Sequence, residues 1–371
     1  MLSKSAPLWT LFLLAVFMAG CIPASVLPPA TETATSSPLP TETLTPTPTD
    51  LPTPTRTPPD LPGPYQVAYL YDGDPPHTYI ADTCQYLRDK WTATNAAPGT
   101  VVMVIMFHAI GGETYGDRIS EADFHALMQA LYDNGFQAIN MTQLADFMEF
   151  NTAIPNRSVL LLVDDRKTGE YFDTFFRPYW QAWGWPVVNA WINLDDSIGR
   201  SALPANVALE NEGWVDHQSH GVVHNIPMGP DSSEEYIFSE LQGSMDLMQQ
   251  NYGKTPIAII WPGGGFAKRP VEVAHQVGYR LGFTINPRGP LMYNWVPLAD
   301  EKDPRRPSWI PEGSLGDPLL VLPRYWDSDA INHISEVLQI GQEAIAYAEA
   351  NKAVELDYYD IVCFPTYGPL P

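Results

Sequence analysis

The chain has 371 residues, of which 45% are hydrophobic, with 14 Phe, 18 Tyr and 11 Trp, and 20 basic against 43 acidic residues give it a formal charge of -23. That apolar content excludes a globally disordered chain, and only 3 Cys exclude a small disulfide scaffold. A surface this acidic repels phosphate backbones and anionic lipid, so nucleic acid is excluded as a partner and neutral or cationic ligands are favoured.

In chain order, Lys4 and the apolar run Leu8–Met18 read as the start of a secretory signal, too short to span a bilayer. Met18-Ala19-Gly20-Cys21 follows and resembles the lipobox of bacterial lipoproteins, in which the Cys is lipidated. The expectation is a signal over 1–21 and an exported domain held by Cys21 on the outer face of the bacterial membrane. Residues 22–64 are dominated by Pro, Thr and Ser and read as a disordered linker. In polyproline II form they reach on the order of 130 Å.

About 307 residues remain to fold, with 65–100 read as an extension packed on a domain over 101–371. Strands are predicted over 101–107, 159–163, 186–192, 214–218, 257–261, 280–285 and 319–322. Continuous apolar runs of this kind suit strands buried on both faces. Helices are predicted between them over 120–134, where Ser120 and Asp123 form a capping pattern, and over 234–252, 270–277 and 330–350. The alternation predicts a distorted β/α barrel of about seven parallel strands, with a doubly wound sheet as the alternative. Cys84 and Cys363, at the two ends of the folded part, are either a disulfide or two buried thiols.

In such a fold the chemistry collects at the carboxyl ends of the strands. There the sequence places Asp164-Asp165 after Leu160-Leu161-Leu162-Val163, and His217-Gln218-Ser219-His220-Gly221-Val222-Val223-His224 two strands later. His220 and His224, four apart, would share a helical face, and with one carboxylate they make a set that holds a divalent metal. Either feature alone reads as structural: Asp as a helix cap, His as an ordinary core or surface residue.

Taken together, Val101 to His108, Leu162-Val163-Asp164-Asp165, Ser219-His220 to His224, and Gly278-Tyr279-Arg280-Leu281-Gly282-Phe283-Thr284 resemble the NodB-homology polysaccharide deacetylases, carbohydrate esterase family four. Ile105-Met106-Phe107-His108 is similar to an element of the branch that deacetylates poly-N-acetylglucosamine. The resemblance implies metal-dependent removal of acetyl groups from an N-acetylated glycan. It implies Asp164 as general base and Asp165, His220 and His224 as metal ligands, for Zn first and Co, Ni or Mn next. His108 becomes the candidate acid, Arg324 of Pro323-Arg324-Tyr325 a group orienting Asp164, and Trp261-Pro262-Gly263 the substrate-binding motif. The chain departs from the family pattern at Arg166, where Gly is usual, at Gly221, where Ser or Thr is usual, and at Trp261-Pro262-Gly263-Gly264-Gly265, where an Arg or an aromatic followed by Pro-Tyr-Gly is usual. These departures motivate a second reading, a glycan-binding pseudoenzyme, and a third, a glycosidase using Asp164 and Asp195. His217, His275 and His333 read as structural or surface residues.

Overall fold

A computed structural model describes residues 56–224, 226–299 and 315–371. These belong to one unit, Thr55–Pro371; the signal, Cys21 and linker residues 22–55 lie outside the described residues, whereas 56–64 are docked on the domain, Arg56 on Asp357 and Asp360 and Leu61 in an apolar cluster with Leu87 and Tyr359. Strand β1, Val101–Phe107, is buried along its whole length. Val102 and Val104 enter one apolar cluster with Leu160, Leu162, Val188 and Ala190. Val101, Met103, Ile105 and Phe107 enter a second with Phe124, Leu127 and Val337. Burial on both faces is what the continuous apolar run predicts.

Besides Gln137–Ala138, which pairs parallel with the start of the next strand, the other strands of the main sheet are β2 (Arg157–Val163), β3 (Val187–Trp191), β4 (Val215–Ser219), β5 (Ala258–Ile260), β6 (Leu281–Phe283) and β7 (Tyr325–Trp326). All are parallel and lie in the order β6-β5-β4-β3-β2-β1-β7, a half-barrel in which only β7 leaves chain order to pair with β1. A single parallel bridge from Phe283 to Leu322 starts to close the gap before the chain crosses to β7. Chain order across the sheet favours the barrel over the doubly wound alternative.

The predicted strand over 319–322 is absent. Pro318–Leu320 is a 3-10 turn, the run keeps only the single bridge at Leu322, and the ladder to β1 begins at Tyr325. Pro323 has no N–H to give a ladder, so the strand starts after it. Among the described residues the α-helices are α1 (Thr83–Trp91), α2 (Glu121–Asp133), α3 (Met141–Phe150), α4 (Gly169–Phe175), α5 (Arg177–Trp183), α6 (Ser197–Glu212), α7 (Glu234–Tyr252), α8 (Lys268–Val277), α9 (Asp327–Tyr358) and α10 (Phe364–Tyr367). Ser120 caps α2 by accepting from the Asp123 N–H, as its pattern predicts. Helix α3 is capped by Asn140 and Gln143 in a reciprocal box, and α6 runs through Pro204; neither was expected. Among the described residues no helix is long and apolar enough to cross a membrane.

The extension packs on the barrel through Pro76–His77, which pair antiparallel with Val296–Pro297, and through Tyr65, stacked on Trp295. Cys84 and Cys363 form a disulfide, Cα to Cα 5.3 Å, which resolves the alternative left open by the sequence.

Candidate metal centre

Asp164 and Asp165 leave the end of β2 in different directions. The Asp164 N–H still donates to the Phe107 carbonyl (2.7 Å), continuing the ladder, and the side chain is 2% exposed. Asp165 has φ 64, the left-handed region, which turns its carboxylate out of the strand. His224 has φ 65. Thus two of the four non-glycine residues with positive φ among the described residues are the two outer members of the expected ligand set. Backbone held in this region costs on the order of 1–3 kcal/mol and collects at functional sites.

The His pair is brought together by a loop, not by a helix. β4 ends at Ser219, and the chain turns at Gly221 (φ 74) before reaching His224. His220 donates from Nδ1 to the Ile260 carbonyl (2.8 Å), which leaves Nε2 as the free lone pair. Burial pushes this imidazole down to about 4, so it is neutral at ordinary pH and available as a ligand. The ligand atoms of Asp165, His220 and His224 lie within 4.8 Å of one another. A carboxylate and two imidazoles this close, with one His fixed in the right tautomer, fit a divalent cation. Lys167 places its ammonium 3.6 Å from Asp165 Oδ2.

Arg324 is fully buried and holds Asp164 with both prongs, Nη1 to Oδ1 at 2.5 Å and Nη2 to Oδ2 at 3.0 Å. Its Nε donates to the Thr284 carbonyl. His108, at the end of β1, brings Nε2 to 3.4 Å from Asp164 Oδ2 and stacks its ring on Trp326 at 5.4 Å. Burial would raise the Asp164 carboxyl, but Arg324, His108 and His220 outweigh it and hold the group well below the usual carboxylate range. The structure therefore gathers Asp164, Asp165, His220, His224, His108 and Arg324 around one point at the strand ends.

Other expectations do not reach that point. Trp261 is fully buried, with its indole N–H on the Leu320 carbonyl, so it forms the core wall and not a sugar platform. Pro262 is buried behind the His loop, and only Gly263 of the motif is exposed. Asp195, offered to a glycosidase reading, is on the surface paired with Arg200 (2.9 Å). His217 points to the other side of β4, held by Glu210 (2.8 Å) and Asn206 (3.0 Å), and is structural. His333 pairs with Asp329 and Glu336 along α9, and His275 with Asp317, both on the surface side.

Two residues of the site were missed. Glu240 of α7, 1% exposed, accepts from the Val222 N–H (2.8 Å) and the Val223 N–H (2.9 Å), and so pins the loop between the two His. A Cβ on Gly221 would lie 2.5 Å from Glu240 Oε2 and 2.9 Å from Pro262 Cγ, so the glycine and the carboxylate require each other. Asp327, the first residue of α9 and 1% exposed, is pushed up to about 7 by burial and by the charges of Asp117 and Asp164. The sequence carries no signal for either: a Glu in mid-helix and an Asp in a first turn look like solvated charges.

A family model for polysaccharide deacetylase matches residues 187–282. YxkH of Bacillus subtilis strain 168, named as a polysaccharide deacetylase, is 23% identical over 186 residues, 50% of this chain and 64% of YxkH, so the match spans less than two thirds of that relative. Among solved structures, the Streptococcus pyogenes deacetylase PplD in complex with acetate superposes with a TM-score of 0.51 at 18% identity, covering 65% of this chain and 99% of PplD. A polysaccharide deacetylase from Bacillus cereus, BC0361, gives a TM-score of 0.47 at 21% identity, covering 64% and 69%. The likeness to PplD is one of fold, a half-barrel of parallel strands.

Proposed function

We propose that this chain, whose residues 187–282 match a family model for polysaccharide deacetylase, is a metal-dependent hydrolase removing acetyl groups from an N-acetylglucosamine-containing polysaccharide. The observation that carries the reading is the set Asp165, His220 and His224 within 4.8 Å, beside an Asp164 locked by Arg324. Those three residues would hold the cation, Zn first with Co, Ni or Mn as alternatives. A bound cation supplies Lewis acidity toward the acetyl carbonyl and makes water easier to deprotonate.

The chain's own residues do the rest. Asp164 is kept ionised by Arg324 and His108, so it is ready to accept the proton of the attacking water. Arg324 fixes the plane of that carboxylate through its two prongs, and its own position is fixed by the Thr284 carbonyl. Water adds to the acetyl carbon, the C–N bond breaks, and the leaving nitrogen takes a proton to become an amine. His108, in contact with Asp164, is the group placed to pass that proton on. The products are acetate and a glycan bearing a free amine. We further propose that the domain works outside the cell, held at the outer membrane face through Cys21 and the Pro/Thr-rich linker, with no nucleic-acid partner.

Lys167 at 3.6 Å from Asp165 favours one competing reading, a glycan-binding pseudoenzyme whose cation site is filled by an ammonium. The test is elemental analysis of the purified protein beside His220→Ala/His224→Ala, with acetate release from N-acetylglucosamine oligomers on the same samples. About one metal per chain, lost with the two His, and acetate release abolished in Asp164→Asn support the hydrolase. Metal without acetate supports the binder, and no metal in either protein rejects the site.

A further inference from the structure

The candidate metal ligands follow two strands that do not touch each other. Asp165 comes after β2 and the two His come after β4, and β3 lies between these strands in the sheet. Whatever leaves the end of β3 therefore stands between the two halves of the set. That segment is the turn Asn193-Leu194-Asp195-Asp196, which leads into α6.

On one side the turn holds the residue that follows Asp165. Arg166, with its side chain 10% exposed, donates from Nη1 to the Leu194 carbonyl (2.9 Å) and from Nη2 to Asp196 Oδ2 (3.0 Å). The fit is close: a Cβ on Gly199 would lie 2.5 Å from the Leu194 carbonyl oxygen and 2.7 Å from Arg166 Nη1. These bonds bear on the backbone that keeps Asp165 at φ 64, a conformation that persists only where neighbours enforce it.

On the other side the turn holds the His loop. The Asn193 N–H donates to the Gly221 carbonyl (3.1 Å), and its buried side chain donates from Nδ2 to Ser244 Oγ (2.9 Å). Ser244 Oγ meets Ser219 Oγ (2.5 Å), and Ser219 Oγ accepts from the Gly221 N–H (3.3 Å). Both backbone groups of Gly221, where the chain turns between His220 and His224, are thus fixed.

We propose that the turn 193–196 is the spacer that sets the gap between Asp165 and the two imidazoles, with Arg166 and Asn193 as its positioning residues. The inference rests on the metal-centre reading above and adds that cation affinity is set from β3, a strand that supplies no ligand. Arg166, a departure from the family pattern, becomes part of the site's support.

The test is Zn competition titration of the full chain, wild type against Arg166→Gly, Arg166→Lys, Asn193→Ala and Arg166→Gly/Asn193→Ala, with urea midpoints to confirm that each is folded. Arg166→Gly and Asn193→Ala are each expected to bind Zn about 10-fold more weakly. Arg166→Lys, which keeps a donor, is expected to lose less. Because both residues act through one turn, the double variant is expected within about threefold of the weaker single one, well short of the product of the two losses. The Zn concentration giving half of full acetate release is expected to rise while kcat at saturating Zn recovers toward wild type, a split that a merely loosened fold would not give. Unchanged Zn affinity in both single variants, or losses that multiply in the double one, overturns the spacer. Variant-sensitive Zn binding by a protein that releases no acetate leaves the spacer standing and rejects the hydrolase; acetate release with variant-insensitive Zn affinity does the reverse.

Discussion

Replacing Arg324 by Met tests the central electrostatic argument. Asp164 is 2% exposed and Arg324 fully buried, so the substitution leaves a carboxylate buried without its guanidinium. Breaking a buried ion pair by removing one partner costs about 3–5 kcal/mol, mostly the cost of the uncompensated charge. In the wild type the folded carboxyl lies below its unfolded value near 3.9. The stability it contributes is therefore present above that value and lost only as pH falls toward the depressed folded one. In Arg324→Met burial acts with less opposition and the sign reverses: the carboxyl moves up, the protein gains relative stability on acidification, and the acid limb of acetate release shifts toward neutral pH. Urea unfolding at pH 7 and at pH 5, with acetate release followed from pH 4 to 9, reads all three effects. The double variant Asp164→Asn/Arg324→Met should regain most of the lost stability while staying inactive, because the stranded charge is gone. A loss below about 1 kcal/mol in Arg324→Met, with its acid limb where the wild type has it, would refute the reasoning.

Glu240→Ala frees the Val222 and Val223 N–H groups and lets the His loop relax, so Zn affinity by competition titration should fall about 10- to 100-fold. Gly221→Ala meets Glu240 and Pro262 at a positive φ and should lower both Zn binding and the urea midpoint. Cys84→Ser/Cys363→Ser opens a loop of 279 residues and should cost about 2–5 kcal/mol by urea unfolding, with kcat unchanged because the bridge lies in a separate apolar cluster. Asp327, held up near 7, binds its proton more tightly folded than unfolded, so stability should fall as pH rises from about 4 to 7, by up to about 4 kcal/mol. In Asp327→Asn that slope should vanish, as read from unfolding midpoints across this range.

Much of the fold was legible because burial on both faces writes itself into sequence. Val101–Phe107 and Leu160–Val163 are unbroken apolar runs, and the residues that follow them carry the chemistry. Short strands were harder: Tyr325–Trp326 is a two-residue strand with no periodicity to detect, and the apolar run before it is bent away by Pro318 and Pro323. Helix α6 was hidden by Pro204, and α3 by a capping box that uses Asn140 where Ser or Thr is the usual signal. Trp261 misled for a different reason, since an aromatic next to a Pro-Gly turn looks like a groove wall until its indole N–H is seen on the Leu320 carbonyl.

The departures from the family pattern have a common physical account, which bears on whether the site is intact. Arg166 takes the place of a Gly but points away from the metal set, donating to the Leu194 carbonyl (2.9 Å) and to Asp196 (3.0 Å), where it anchors the turn into α6. Gly221 takes the place of a hydroxyl residue, and the buried Glu240 carboxylate fills the space and bonds the loop N–H groups from outside. Both exchanges move support for the site from the motif itself to a neighbouring helix, α6 in one case and α7 in the other. The buried Arg324 on Asp164 and the left-handed backbone at both Asp165 and His224 hold one geometry at the site, and such backbone strain persists only where the surrounding structure enforces it. Their joint presence is the physical ground on which the proposal of acetate release rests.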